Sequence, residues 1–212
     1  MLCSLYLLYI GTYYFDIIMK KLLTLSIVST TLLVACGDGS DVSTRPPKGN
    51  ANALVVVEEY ADLQCPACAA AHTQVTAPLL EKYGNDIRFE FNHFPLRSIH
   101  RFALDAAEMS ECAADQGKFW EFVDLAYEKQ KDLGLDAIMD WAEVIGLDTD
   151  KAERCWKSHS KRDIVLNDYK NGRDHDVAGT PTFFVNGQRV QTGVDTLGEA
   201  IDAALKGNQM PL

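Results

Sequence analysis

Two cysteines separated by two residues, Cys65-Pro66-Ala67-Cys68, are the clearest chemical feature of this 212-residue chain. Such a pair can be a redox dithiol, half of a zinc site, or a chance spacing. Haem attachment is excluded, since it needs a histidine directly after the second cysteine and Ala69 stands there. Zinc requires two further nitrogen or sulfur ligands. There is no second Cys-x-x-Cys, and His72, His93, His100, His159 and His175 are scattered singly. His72, one helical turn beyond Cys68, could help hold copper or zinc, but a solvated helix residue is the plainer reading. We therefore expect neither metal nor cofactor.

The redox reading gains from the elements that position the pair. Leu54 to Val57, continuing to Tyr60, has the β-branched, apolar composition of a buried strand. The Ala-rich stretch to Tyr83 reads as a helix, with Pro66 at its first position and Gly84 at its end. Cys65 then sits at a helix N-terminus, where free N–H groups and the macrodipole stabilise a thiolate. Thiolate is the attacking species in disulfide exchange, and cysteines so placed have pKa values of roughly 3.5–7.5. Cys68, one turn deeper, is expected to be more buried and less ionised.

Ile87 to Phe94 alternates apolar and polar residues, predicting a strand with one buried face, parallel to the first. From about Arg101 to Asp174 the spacing is helical. One apolar stripe comprises Phe119, Phe122, Val123, Ala126 and Tyr127; another comprises Leu135, Ile138, Met139, Ala142 and Ile145. Gly117, Gly134 and Gly146 separate the segments. Thr182 to Val185, Asn186-Gly187 and Gln188 to Val190 predict a tight hairpin. A closing helix over Thr196 to Leu205 follows, capped by Asp195 or Thr196. The order is βαβ, a helical insert, then ββα, with no internal repeat.

With 47% apolar and 24% charged residues the composition is that of a globular chain, not of a disordered or multi-span one. The net charge of −10 disfavours nucleic-acid binding. Met19-Lys20-Lys21 opens an uncharged, mostly apolar stretch that ends Leu33-Val34-Ala35-Cys36, in the manner of a secretory signal. A cysteine after Leu-Val-Ala resembles the lipobox of bacterial lipoproteins. That resemblance implies an exported protein tethered to a membrane by lipidated Cys36, on the periplasmic side or the cell surface. Residues 1–18 place a second apolar run ahead of the basic pair and read as an over-extended start. The expected divisions are 1–35 for this leader, 36–48 for a flexible tether, 49–96 with 176–207 for the α/β part, and 97–175 for the helical insertion.

Val55 to Cys68, Asn92 to Leu96, Gln116 to Glu121 and Gly179 to Gly187 together resemble the motifs of DsbA-like thioredoxin-fold oxidoreductases. The likeness runs from about Lys48 to Leu205. It implies a thioredoxin fold with an all-helical insertion that covers the site and shapes an apolar peptide-binding surface. It also implies that Thr180–Pro181 is a cis-proline dipeptide facing the dithiol, with Thr180 tuning the attacking sulfur. Glu59, six residues before Cys65, would be a buried acid that exchanges a proton with Cys68; strand alternation alone leaves Glu58 as the alternative. Cys112 and Cys155 would form a structural disulfide, closing a loop of about 44 residues for roughly 3–4 kcal/mol of stability; two buried free thiols are the alternative.

The implied function is extracytoplasmic disulfide donation from Cys65–Cys68. The implied partners are exported proteins with free or paired cysteines and a quinone-linked membrane reoxidant, and the chain would act as a monomer. The rivals are a reductase or isomerase of the same fold and a non-catalytic binding lipoprotein or metallochaperone. Pro66-Ala67 lacks the histidine of the most strongly oxidising relatives. The expectation is a milder oxidant, with the helix terminus as the main thiolate stabiliser.

Overall fold

The computed structural model describes residues 42–208. Residues 1–18, the leader, Cys36 and the start of the tether lie outside the described residues. Five strands form one sheet: β1 (Lys48–Gly49), β2 (Val55–Ala61), β3 (Ile87–His93), β4 (Thr182–Val185) and β5 (Gln188–Val190). Their order is β1-β3-β2-β4-β5; β2 and β3 run parallel and the other pairs antiparallel. This is the thioredoxin-type arrangement, with central β2 leading directly into the dithiol. The β4–β5 hairpin turns through Asn186 (φ 47°) and Gly187 (φ 76°), the two positive φ values a two-residue turn of matching twist demands.

Helix α1 (Pro66–Ala71) follows β2, widens into a π-helical stretch over His72–Thr76, and continues as α2 (Ala77–Tyr83). The insertion contains α3 (Ala103–Ala114), α4 (Phe119–Glu128), a 3-10 turn at Gln130–Asp132, α5 (Leu135–Val144), α6 (Thr149–Lys157) and α7 (Arg162–Asp174). The α4 stripe is wholly buried, whereas Leu135 at the start of the second stripe is exposed. Cys112 of α3 and Cys155 of α6 are joined by a disulfide, with Cα atoms 5.9 Å apart. The closing helix α8 (Val194–Asn208) begins two residues before the expected start. Thr196 does not cap it: its hydroxyl donates to the carbonyls of Gln191 (2.7 Å) and Gly193 (3.1 Å).

One face of the sheet packs Val55, Val57, Phe89, Phe183 and Val185 against Val75, Leu79, Leu197 and Ile201. Next to it, Phe91 and Ala61 join the insertion's core of Phe119, Phe122, Met109 and Ile138, which also holds Cys65 and Cys68. The dithiol therefore sits where the sheet's end meets the insertion.

The flexible tether expected over 36–48 does not extend to its last residues. Lys48 pairs with Phe89 in the sheet, and Trp120 donates to the carbonyl of Pro46 (2.8 Å). Arg45 reaches between Glu111 of α3 and Asp168 of α7; His93 also bonds both acids (ring to Glu111, 3.0 Å; backbone N–H to Asp168, 3.0 Å), and the Ser43 hydroxyl donates to Glu111 (2.5 Å). Buried carboxylates need paired charges, so the acids of α3 and α7 draw the arm onto the domain.

Gly172 of α7 lies where Phe94 and Tyr60 pack edge to face: a Cβ there would be 2.7 Å from Phe94 Cδ2 and 2.9 Å from Tyr60 Cδ1. Glycine to alanine inside a helix normally gains up to about 1 kcal/mol. Here the added methyl overpacks the core, which costs about 1–3 kcal/mol, and the sign should reverse. Thermal unfolding of Gly172→Ala should show a Tm lower by several degrees. An unchanged or raised Tm would mean that the two rings yield.

Candidate active site

Cys65 is the N-cap of α1, in extended conformation (φ −81°, ψ 119°), and Pro66 opens the helix. Its carbonyl accepts the first helical bonds, from Cys68 N–H (3.0 Å) and Ala69 N–H (3.2 Å). Both cysteines are free thiols, Cys65 being 7% exposed and Cys68 0%. The Thr180–Pro181 bond is cis, and Cys65 Sγ lies 3.5 Å from the carbonyl oxygen of Thr180.

The two sulfurs titrate in opposite directions. The hydrogen bond from the Cys68 thiol is the largest cause that holds Cys65 down at about 5, with Thr180 and the N–H groups of Cys68 and Ala67 adding to it against the opposing effect of burial. Burial first, then Cys65 and the charge of Glu59, push Cys68 far above the ordinary thiol range. The helix terminus, expected to be the main stabiliser of the thiolate, is secondary to the neighbouring thiol. Thr180, whose carbonyl lies against Cys65 Sγ, lowers the pKa of both sulfurs.

Glu59, 1% exposed, faces the helices, while Glu58 is half-buried. The register sets this: Glu59 lies opposite Phe91 on β3 and Phe183 on β4. Burial pushes its carboxyl up to about 8, opposed by the Thr76 hydroxyl bonded to Oε2 (3.3 Å) and by Lys48. Glu59 Oε1 and the hydroxyl of buried Tyr127 have no partner, and burial with the charges of Cys68 and Glu59 raises the phenol strongly.

The residues that fix the dithiol turn escape sequence reasoning. Buried Asp62 receives Gln64 N–H (2.7 Å) and Leu96 N–H (2.8 Å) and contacts His100 Nδ1 (2.7 Å). Its own N–H points at Cys68 Sγ (3.5 Å). From the insertion, Gln130 Nε2 donates to the carbonyls of Leu63 (2.8 Å) and Cys65 (3.1 Å). Asp62 could have been suspected as an acid inside the active-site segment; nothing in the sequence singles out Gln130. His72, expected in solvent, is instead paired with Asp124 (2.9 Å) and packed on Tyr127 (ring centroids 5.0 Å apart). Among the described residues no three His, Cys, Asp or Glu side chains converge as metal ligands. Cys112 and Cys155 stand apart from the dithiol as a covalent brace between α3 and α6.

A family model described as thioredoxin matches residues 42–203. The Na(+)/H(+) antiporter NhaA 1 of Salinispora arenicola is 35% identical over 165 residues, covering 77% of this chain and 25% of that protein. The chain thus spans about a quarter of the curated relatives it matches, and no helix of the described residues is long and apolar enough to cross a membrane. Among solved structures, oxidised BdbD from Bacillus subtilis superposes with a TM-score of 0.70 at 22% identity, covering 77% of this chain and 94% of that one. DsbA2 from Pseudomonas aeruginosa does so with a TM-score of 0.62 at 27% identity, covering 78% and 97%.

Two outcomes follow from the site's electrostatics. Alkylation of the reduced protein should proceed at Cys65, rising through pH 5 to a plateau; in Cys68→Ala the midpoint should move up by at least a pH unit. An unmoved midpoint would return the main role to the helix terminus. Glu59, raised above its unfolded value, contributes stability that is complete at pH 4 and lost as the pH rises towards 8. Glu59→Gln should therefore match the parent near pH 4 in denaturant melts and exceed it by a few kcal/mol at pH 8; equal stability at pH 8 would contradict a buried, high-pKa acid.

Proposed function

The chain belongs to the thioredoxin family, and we propose that it is a DsbA-like thiol–disulfide oxidoreductase that donates its Cys65–Cys68 disulfide to exported proteins. One observation supports this direction above all: a single turn of helix holds one sulfur that ionises near pH 5 beside one that resists ionisation. Stabilising the thiolate stabilises the reduced enzyme, which makes the disulfide a better oxidant.

In the proposed cycle a substrate thiolate attacks Cys65 Sγ of the disulfide, and the Cys65–Cys68 bond breaks. Cys68 leaves as a thiolate and takes a proton from Glu59, whose raised pKa keeps one available near neutrality. A second substrate thiol, deprotonated, attacks the substrate sulfur of the mixed disulfide and expels Cys65 as the thiolate its surroundings favour. The substrate has lost two electrons, and the enzyme dithiol has gained them. The Thr180 carbonyl beside cis Pro181 is placed to order the incoming backbone.

Continued turnover requires an electron acceptor, proposed to be a quinone-linked membrane protein. The leader and lipobox-like Cys36 support an extracytoplasmic, membrane-tethered location. The Cys112–Cys155 bond is compatible with such an oxidising compartment.

Equilibration with glutathione buffers should place the dithiol clearly above thioredoxin's potential of about −270 mV. The oxidised protein should form a disulfide in a reduced two-cysteine peptide, and Cys65→Ala should abolish this. A potential near that of thioredoxin would overturn the donor assignment in favour of a reductase; activity surviving the substitution would overturn the site.

A further inference from the structure

Tyr127 of α4 is 6% exposed, and its hydroxyl has no hydrogen-bond partner among the described residues, although buried polar groups are normally paired. Core packing alone does not call for that oxygen, since phenylalanine fills the same space without stranding a polar atom. The surroundings of the hydroxyl argue for chemistry. Cys68, His72 and Thr76 recur at four-residue spacing along the helix that follows β2, and so line one side of it. Tyr127 packs on the middle member, with the ring centroids of His72 and Tyr127 5.0 Å apart, and it shares a core cluster with Cys65 and Cys68. The last member, Thr76, donates to Glu59 Oε2 (3.3 Å).

The phenol responds to those neighbours. Burial raises it first, then the charges of Cys68, Glu59, Asp62 and Cys65. It therefore keeps its proton throughout the working pH range and acts only as a hydrogen-bonding group. His72, under its ring, is held by Asp124 (2.9 Å), which also binds Lys48 (3.3 Å). Glu59 is faced by Thr76 from the helix, Lys48 from β1 and Cys68 from the dithiol. Because Thr76 occupies Oε2, the partnerless Oε1 is the oxygen left to carry the carboxyl proton, and to need a donor once that proton has gone. A carboxylate formed inside the core is costly unless a donor meets it.

Resting on the proton exchange between Glu59 and Cys68 proposed above, we propose that Tyr127 is a positioning residue of the dithiol reaction, its hydroxyl donating to Glu59 Oε1 once the carboxyl has given its proton to Cys68. The proton passes from Oε1 to Cys68 Sγ, the negative charge passes from sulfur to carboxylate, and the phenol keeps its own proton. The bond is absent in the resting dithiol, where the carboxyl is neutral, and forms as the charge appears.

The test follows the isotope-labelled Glu59 carboxyl of the full reduced chain by NMR. Its midpoint, near pH 8 in the parent, should rise by about one pH unit in Tyr127→Phe, because a lost donor to a carboxylate is worth about tenfold. Oxidation of a reduced two-cysteine peptide by the oxidised chain should slow about tenfold at neutral pH for the same reason. Tyr83→Phe, which removes a different buried hydroxyl bonded to the Gly198 carbonyl (3.4 Å), should change neither quantity. In the parent, the Tyr127 Cζ resonance should shift at the Glu59 midpoint and lose that step in Glu59→Gln, a measurement that needs no substitution of Tyr127. An unmoved midpoint in Tyr127→Phe, or a Tyr127 resonance blind to Glu59, would overturn the role of Tyr127 and leave disulfide donation standing. A parent that oxidises no peptide would overturn disulfide donation, while a raised midpoint would still uphold the bond between Tyr127 and Glu59.

Discussion

The structure depends on keeping two sulfurs of one helical turn in unlike surroundings. Cys65 caps the helix at the edge of the core, 7% exposed and beside the Thr180 carbonyl; Cys68 is fully sealed in the core shared by the sheet and the insertion. Burial makes ionisation of Cys68 unfavourable, so its proton stays on sulfur and is free to be donated to its neighbour. The Cys68 thiol, Thr180 and the N–H groups at the start of the helix together hold Cys65 down. Pro66-Ala67 contributes no charge between them, and the asymmetry arises from burial and hydrogen bonding within the pair.

That arrangement requires rigidity from segments remote in sequence. Gln130 of the insertion holds the carbonyls on either side of Gln64, and Asp62 binds the turn to the loop after β3. The insertion is braced in turn by the Cys112–Cys155 bond and by Arg45, which joins the acids of α3 and α7 to the start of the sheet. Removing Arg45 would leave the two buried acids short of a positive partner, so the arm contributes to the stability of the insertion.

Whatever is encoded locally is legible in the sequence. The apolar run before Cys65-Pro66 announces strand and helix, and Asn186-Gly187 announces its hairpin, because only residues tolerant of positive φ suit that turn. Cys65, Cys68, Glu59, Thr180 and Pro181 are reached through motif order. Gln130, Asp62 and Arg45 are not, since an amide, an acid and an arginine are ordinary surface residues until distant chain segments bury them. The π-helical widening at His72–Thr76 is equally silent in the sequence, yet Thr76 at its end bonds Glu59.

Glu59 shows why the acid is kept despite its cost. On β2 it displaces an apolar side chain from a face otherwise built of Val55, Val57, Phe89 and Phe183, and one of its oxygens remains without a partner. A hydrophobic replacement would pack better. But Cys68 is too deeply buried to exchange protons with water directly, and it must gain one each time the disulfide opens. In the proposed cycle a carboxyl that stays protonated until about pH 8 would supply that proton from inside the core. The same burial that raises Cys68 raises Glu59, so the proposed donor and acceptor are matched by a single physical cause, and the instability is localised where the proposed chemistry would use it.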